Sequence, residues 1–226
     1  MQRHELAPEF QPRNLATRGP LHLLDQLDPA TTAHLVVDMQ NGFLRPGALL
    51  EVPEARAVVP QINAISAALR AAGGMVAFTR FAWKPDEARL WDAFYRRFLN
   101  PERAARQQEA FAPGAPDLQL WDGLDIAPGD LVVDKTRYSA FITGTCDLHE
   151  ILQARAIRTL IISGTMTNCC CESTARDAMQ YGYDVIFASD ANATLTALEQ
   201  ETTLMNLALL FAEVAPSRAI QSALSR

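Results

Sequence analysis

The chain has 226 residues, room for one α/β domain with a substantial core, and its 49% hydrophobic content excludes a disordered chain. A formal net charge of −6 without a basic cluster argues against nucleic acid as a partner. No apolar run is long enough to span a bilayer, and the opening MQRHELAPEFQPRN lacks the apolar core of a signal peptide, so a cytoplasmic protein with no membrane association is expected.

Residues 1–30 read as a polar extension with Pro and Gly, followed by a single domain over 31–226. His4, His22, His34 and His149 are scattered, none spaced as paired metal ligands on one helix face, and read as surface or capping residues. The run AHLVV at 33–37 predicts the first strand, and Asp38 follows it at once. An acid there either ties down the next loop or faces the crevice where open α/β sheets bind ligands. An alanine-rich helix is predicted over 54–72, ended by Gly73-Gly74, and a second strand over 75–79.

From 80 to 129 the pattern loosens. The stretch 86–99 fits a helix with Leu90, Phe94 and Phe98 on one face, and its place after a strand's carboxyl end suits a pocket roof. Most aromatics here read as core, and Trp83, nearest the strand end, is a candidate pocket residue.

A third strand is predicted over 131–133, followed by Asp134-Lys135. Of 20 basic residues only Lys84 and Lys135 are lysines, so an amine at a strand end is either chance or a site that needs a compact charge. A helix over 148–155 leads to a fourth strand at 159–162, a fifth follows at 183–188, then a loop over 189–194, a helix over 196–210 and a last strand over 211–214. The alternation predicts an α/β fold: a three-layer α/β/α, Rossmann-like domain with a mostly parallel six-stranded sheet and helices on both faces.

The fourth strand runs into SGTMTNCCCEST at 163–174, a tight strand-to-helix turn. A thiol on the first turn of that helix faces unpaired backbone N–H groups and the positive dipole end, a setting that lowers a cysteine pKa and can hold an oxyanion. Four cysteines, three of them adjacent, make a poor disulfide framework and fit reduced thiols. Asp38, Lys135 and this turn all lie just past strand carboxyl ends, which converge at the switch point of a doubly wound sheet.

The segments VVDMQNGF (36–43), DKTRYSAF (134–141) and SGTMTNCCCEST resemble the isochorismatase-like cysteine hydrolase superfamily, which includes ureidoacrylate amidohydrolases, N-carbamoylsarcosine amidohydrolases and nicotinamidases. The similarity runs from about residue 33 to about residue 215. It implies a catalytic Asp38, Lys135 and Cys170, the register selecting Cys170 over Cys169 and Cys171, which then read as packing residues. It also implies a cis Thr165–Met166 peptide, an oxyanion hole from the N–H groups of Met166 and Cys170, and homo-oligomeric assembly. Asn41, Trp83 and Tyr138 are candidate substrate contacts by position, and Cys146 is unrelated to the site.

Lys135 and the helix end would favour a Cys170 thiolate, with Asp38 shuttling the proton during hydrolysis of a small amide, ureido or carbamoyl compound through a thioester. Nicotinamidases hold a metal through an Asp and two His after the second strand; residues 79–85 contain no histidine, so neither metal nor cofactor is expected. Two alternatives stay open: a vinyl-ether hydrolase using Asp38 as acid, which the RYSAF segment also resembles, and a non-catalytic binding scaffold with redox-sensitive thiols.

Overall fold

The computed structural model describes residues 22–85 and 91–226. Six strands, β1 (Thr32–Val37), β2 (Met75–Phe81), β3 (Leu131–Lys135), β4 (Thr159–Thr165), β5 (Asp184–Ala193) and β6 (Glu213–Ala215), form one sheet in the order β3-β2-β1-β4-β5-β6, every neighbouring pair parallel. The order reverses between β1 and β4, so the crevice at their carboxyl ends is where this topology binds ligands.

Period-two alternation divides the buried apolar side chains between two cores. Leu35 and Val37 of β1, Leu160 and Ile162 of β4, and Val185 and Phe187 of β5 face one core. It is closed by α4 (Leu148–Ala154), α5 (Glu172–Gln180) and α6 (Ala197–Leu210). Val36, Ile161 and Ile186 face the other, closed by α2 (Val59–Ala71) and α7 (Ser217–Leu224). Two further helices, the one-turn α1 (Asn41–Leu44) and α3 (Pro101–Ala110), lie in the connections after β1 and β2.

Several boundaries move from those the sequence predicts. The helix expected from residue 54 begins as a 3-10 turn, Pro53–Arg56, and α2 proper opens at Val59, with a proline in its first turn. Strand β5 continues through the expected loop because the Asn192 amide donates to the Ile162 and Ala188 carbonyls (3.1 and 2.6 Å), bridging a register shift against β4. The expected helix over 86–99 is instead a π-helical turn at Ala93–Phe98, with Phe94 buried but Phe98 79% exposed; residues 86–90, Leu90 among them, lie outside the described residues. Of the expected extension, residues 1–21 also lie outside them.

Gly164 has φ +123°, and a Cβ there would run into the Val37 backbone, its register partner on β1. Only glycine lets β4 approach β1 this closely just before the cysteine turn.

His34 is neither a surface nor a capping residue. It is fully buried in β1, its ring bonded to Ser66 of α2 (2.9 Å) and Ser163 of β4 (2.7 Å), where hydroxyl rotors satisfy a neutral imidazole. Burial first, then the Arg70 charge, pull its pKa from 6.5 down to about 3. The folded protein therefore holds His34 neutral where the unfolded chain protonates it: its contribution is whole above about 6.5 and is lost as pH falls from there toward 3. Urea titrations from neutral to acidic pH should show an acid limb steeper in the native protein than in His34→Asn by about 1.4 kcal/mol per pH unit.

Candidate active site

Asp38 directly follows β1 with φ 52°, a left-handed conformation that Asp tolerates better than most residues, and it is fully buried. Its Oδ1 accepts from the Thr79 hydroxyl of β2 (3.0 Å) and its Oδ2 from Lys135 Nζ (2.7 Å). Lys135 belongs to β3, two strands away, roughly 9–10 Å at normal strand spacing. A lysine stem can cross that gap: the ammonium lies 5.4 Å from the centre of the Phe81 ring on the intervening strand and also donates to the Arg137 carbonyl (3.0 Å). Burial alone would lower the Lys135 pKa, but the Asp38 carboxylate and the Cys170 sulfur outweigh it and raise it, so the site keeps a fixed cation.

The cysteine turn follows β4. The Thr165–Met166 peptide is cis, and Thr167–Cys171 forms a π-helical turn leading into α5. Cys170 and Cys171 are buried and Cys169 is partly exposed. The adjacent Cys169 and Cys170 sulfurs pull on each other's titration in opposite directions. The Cys169 sulfur and burial push the Cys170 thiol well above the usual range, Lys135 pulling the other way, while the Cys170 sulfur holds Cys169 below it. Burial raises Cys171 well above the usual range and Cys146 to about 11.

A cavity of about 370 Å³ opens over this turn, with Cys169, Cys170, Met166, Phe81 and Tyr138 in its wall. The Tyr138 phenol packs edge-on against Trp91 (4.7 Å between centroids), and burial followed by the neighbouring sulfurs raises its pKa, so it faces the cavity as a neutral hydroxyl. Asn41 and Trp83 do not line this cavity. The Asn41 amide donates to the Pro116 carbonyl (3.1 Å), and Trp83 packs on the second core while its backbone N–H donates to the Phe111 carbonyl (2.9 Å).

Two supporting residues are missing from the sequence reading. Gln40 is fully buried and clamps the end of β2, accepting from Phe81 N–H (2.7 Å) and donating to the Phe81 and Leu118 carbonyls (3.1 and 2.9 Å). Thr79 orients the Asp38 carboxylate; its signal was its register opposite Val37, one residue before Asp38. Thr79→Val removes a hydrogen bond to a charged group and should lower unfolding free energy by about 1.5–3 kcal/mol, read from the urea midpoint. Among the described residues no group of three or more His, Cys, Asp or Glu is placed to hold a metal ion, and no helix is long and apolar enough to cross a membrane.

Comparison with known proteins places these observations in a family. The profile of the isochorismatase domain matches residues 32–219. The ureidoacrylate amidohydrolase RutB of Pseudomonas syringae is 33% identical over 217 residues, covering 90% of this chain and 87% of its own. Its namesake from Methylorubrum extorquens is 36% identical over 212 residues, covering 88% and 84%. Among solved structures, a cysteine hydrolase from Pseudomonas syringae pv. phaseolicola superposes with a TM-score of 0.74 at 33% identity, covering 87% of this chain and 95% of that one. N-carbamoylsarcosine amidase from Thermoplasma acidophilum superposes with a TM-score of 0.66 at 26% identity, covering 83% and 96%.

Proposed function

This chain belongs to the isochorismatase family of hydrolases, its relatives are amidohydrolases, and on that premise we propose that it cleaves a C–N bond of a small amide, ureide or carbamoyl compound through a Cys170 thioester. The observation that carries the reading is the buried Asp38–Lys135 pair, 2.7 Å apart and within electrostatic reach of Cys170 in the wall of the cavity.

Asp38 takes the Cys170 proton as the sulfur adds to the substrate carbonyl carbon. The carbonyl π pair moves onto oxygen, which the backbone N–H groups of Met166 and Cys170 stabilise. The C–N bond breaks, the nitrogen receives the proton from Asp38, and the amine departs, leaving an acyl- or carbamoyl-thioester. Water then adds with its proton passing to Asp38, the C–S bond breaks, and the proton returns to sulfur. Lys135 remains charged throughout, holding the carboxylate in place and offsetting the negative charge that builds on sulfur and oxygen.

Coupled ammonia and amine detection over a panel of ureides, N-carbamoyl compounds and carboxamides tests the reading. Hydrolysis in at least one class, lost in Cys170→Ala, is expected. Cleavage of vinyl ethers alone, surviving Cys170→Ala and lost in Asp38→Asn, would replace it with ether hydrolysis.

A further inference from the structure

The wall of the cavity over the cysteine turn is mainly hydrocarbon, with Leu50, Phe81 and Met166 among its side chains. Three of its rings touch in series. Tyr138, within electrostatic reach of the Cys169 and Cys170 sulfurs, meets Phe94 edge-on (5.7 Å between centroids), and Phe94 stacks on Phe98 (6.2 Å, 19° between planes). Phe94 is buried but Phe98 is 79% exposed, so this aromatic wall runs from near the sulfurs out into solvent. Leu195, from the loop between β5 and α6, lines the same cavity and is 53% exposed. A single exposed apolar side chain is ordinary, but two in the wall of one cavity make a surface that an apolar ligand would take out of water. The volume, about 370 Å³, falls in the range of sites that enclose small organic ligands, roughly 300–1,000 Å³.

The charged groups of the wall are already engaged. Glu51 accepts from Arg56 (2.9 Å) and the Gly47 N–H (2.7 Å), and Arg103 donates to the Leu49 carbonyl (3.1 Å). Their charges are opposite, so the wall carries no net charge, and the buried Asp38–Lys135 pair adds none. Gln107, the remaining polar side chain of α3 in the wall, is only 3% exposed and offers little surface. An ionised tail would lose water here without gaining a net counter-charge, whereas methylenes gain from the same transfer.

We infer that the substrate is an uncharged amide or ureide carrying a long alkyl or arylalkyl group, and that Phe98 and Leu195 set this preference by covering the outer part of that group. The inference rests on the amidohydrolase reading of the same cavity.

The test follows ammonia release from methylurea, butylurea and hexylurea. In the native enzyme kcat/KM should rise roughly threefold per methylene, the gain of burying each CH₂. Two compounds of hexylurea's length, 2-(2-hydroxyethoxy)ethylurea with a polar tail and 5-ureidopentanoate with a charged one, should fall at least tenfold below it. Phe98→Ser and Leu195→Ser replace exposed side chains and should fold; each should lower the hexylurea-to-methylurea ratio several-fold, chiefly through KM. A flat series, a polar or charged member equal to hexylurea, or a ratio unchanged in both variants would overturn the inference. An unchanged ratio accompanied by a smaller particle mass of Phe98→Ser in light scattering would overturn it and assign these side chains to a contact between copies of the chain.

Calorimetric titration of Cys170→Ala with hexylurea and its polar and charged counterparts separates recognition from chemistry. At least tenfold tighter binding of hexylurea, with the more negative heat-capacity change of apolar burial, and weakened several-fold when Phe98→Ser is added, supports the inference even where no urea is turned over and the amidohydrolase reading fails. No preference in binding overturns it whatever the turnover.

Discussion

Cys170→Ala is expected to lower amide hydrolysis by on the order of 10⁴-fold or more while leaving the fold intact. The side chain is small and 6% exposed, so its loss removes a nucleophile and little packing. Its neighbours provide controls within one tripeptide. Cys171→Ala should behave as a packing change, because that thiol is fully buried, raised in pKa, and outside the cavity wall. Cys169→Ala should retain turnover but shift its pH profile, because the Cys169 sulfur pushes the Cys170 thiol above its usual range. Turnover against pH for the three variants, with circular dichroism to verify folding, checks this ordering.

The second large effect concerns the buried ion pair. Lys135→Met leaves the Asp38 carboxylate fully buried with only the Thr79 hydroxyl and no counter-ion, a change expected to cost about 3–5 kcal/mol of stability as well as activity. Asp38→Asn strands the ammonium instead and should cost a comparable amount. Combining the two replacements should recover much of the stability and none of the turnover, since the neutral pair removes both the desolvation penalty and the proton acceptor. The Lys135 pKa is raised on folding, so the folded state binds its proton more tightly than the unfolded chain. The pair's contribution is therefore whole below the unfolded value of 10.5 and falls only in more alkaline solution. Urea denaturation of both single variants and the double variant at neutral pH gives the cycle.

Much of the frame was legible because its signals are local. Short β-branched runs alternating with helices specify a parallel sheet, and Asp38, Lys135 and the cysteine turn each sit where a strand ends. Of the three substrate contacts expected by position, Tyr138 lines the cavity and Asn41 and Trp83 do not. Asn41 follows Asp38 closely in sequence, but the backbone turns at Asp38 and carries the Asn41 amide to the 116–120 loop, while Trp83 settles into the second core. The cavity wall instead includes Arg103 and Gln107 of α3, whose polar sequence carries no apolar stripe. Its start was nevertheless written in the chain: Asn100 caps it, accepting from Arg103 N–H (2.8 Å), and Pro101 opens it. His34 was missed because it occupies an inward-facing place in an apolar strand, where only the serines of two other elements make a buried imidazole tolerable. The opposite pulls on the Cys169 and Cys170 thiols needed coordinates, since they depend on burial and on the placing of the two sulfurs, which spacing does not specify.

The central claim is a covalent bond between the Cys170 sulfur and the acyl or carbamoyl group of the substrate. Rapid acid quench during turnover, followed by intact-mass measurement and peptide mapping, addresses it directly. The mechanism predicts one acyl or carbamoyl increment, on Cys170 and not on Cys146, Cys169 or Cys171, appearing with substrate and absent in Cys170→Ala. Steady hydrolysis with no adduct at Cys170, or an adduct carried by Cys169, would contradict it.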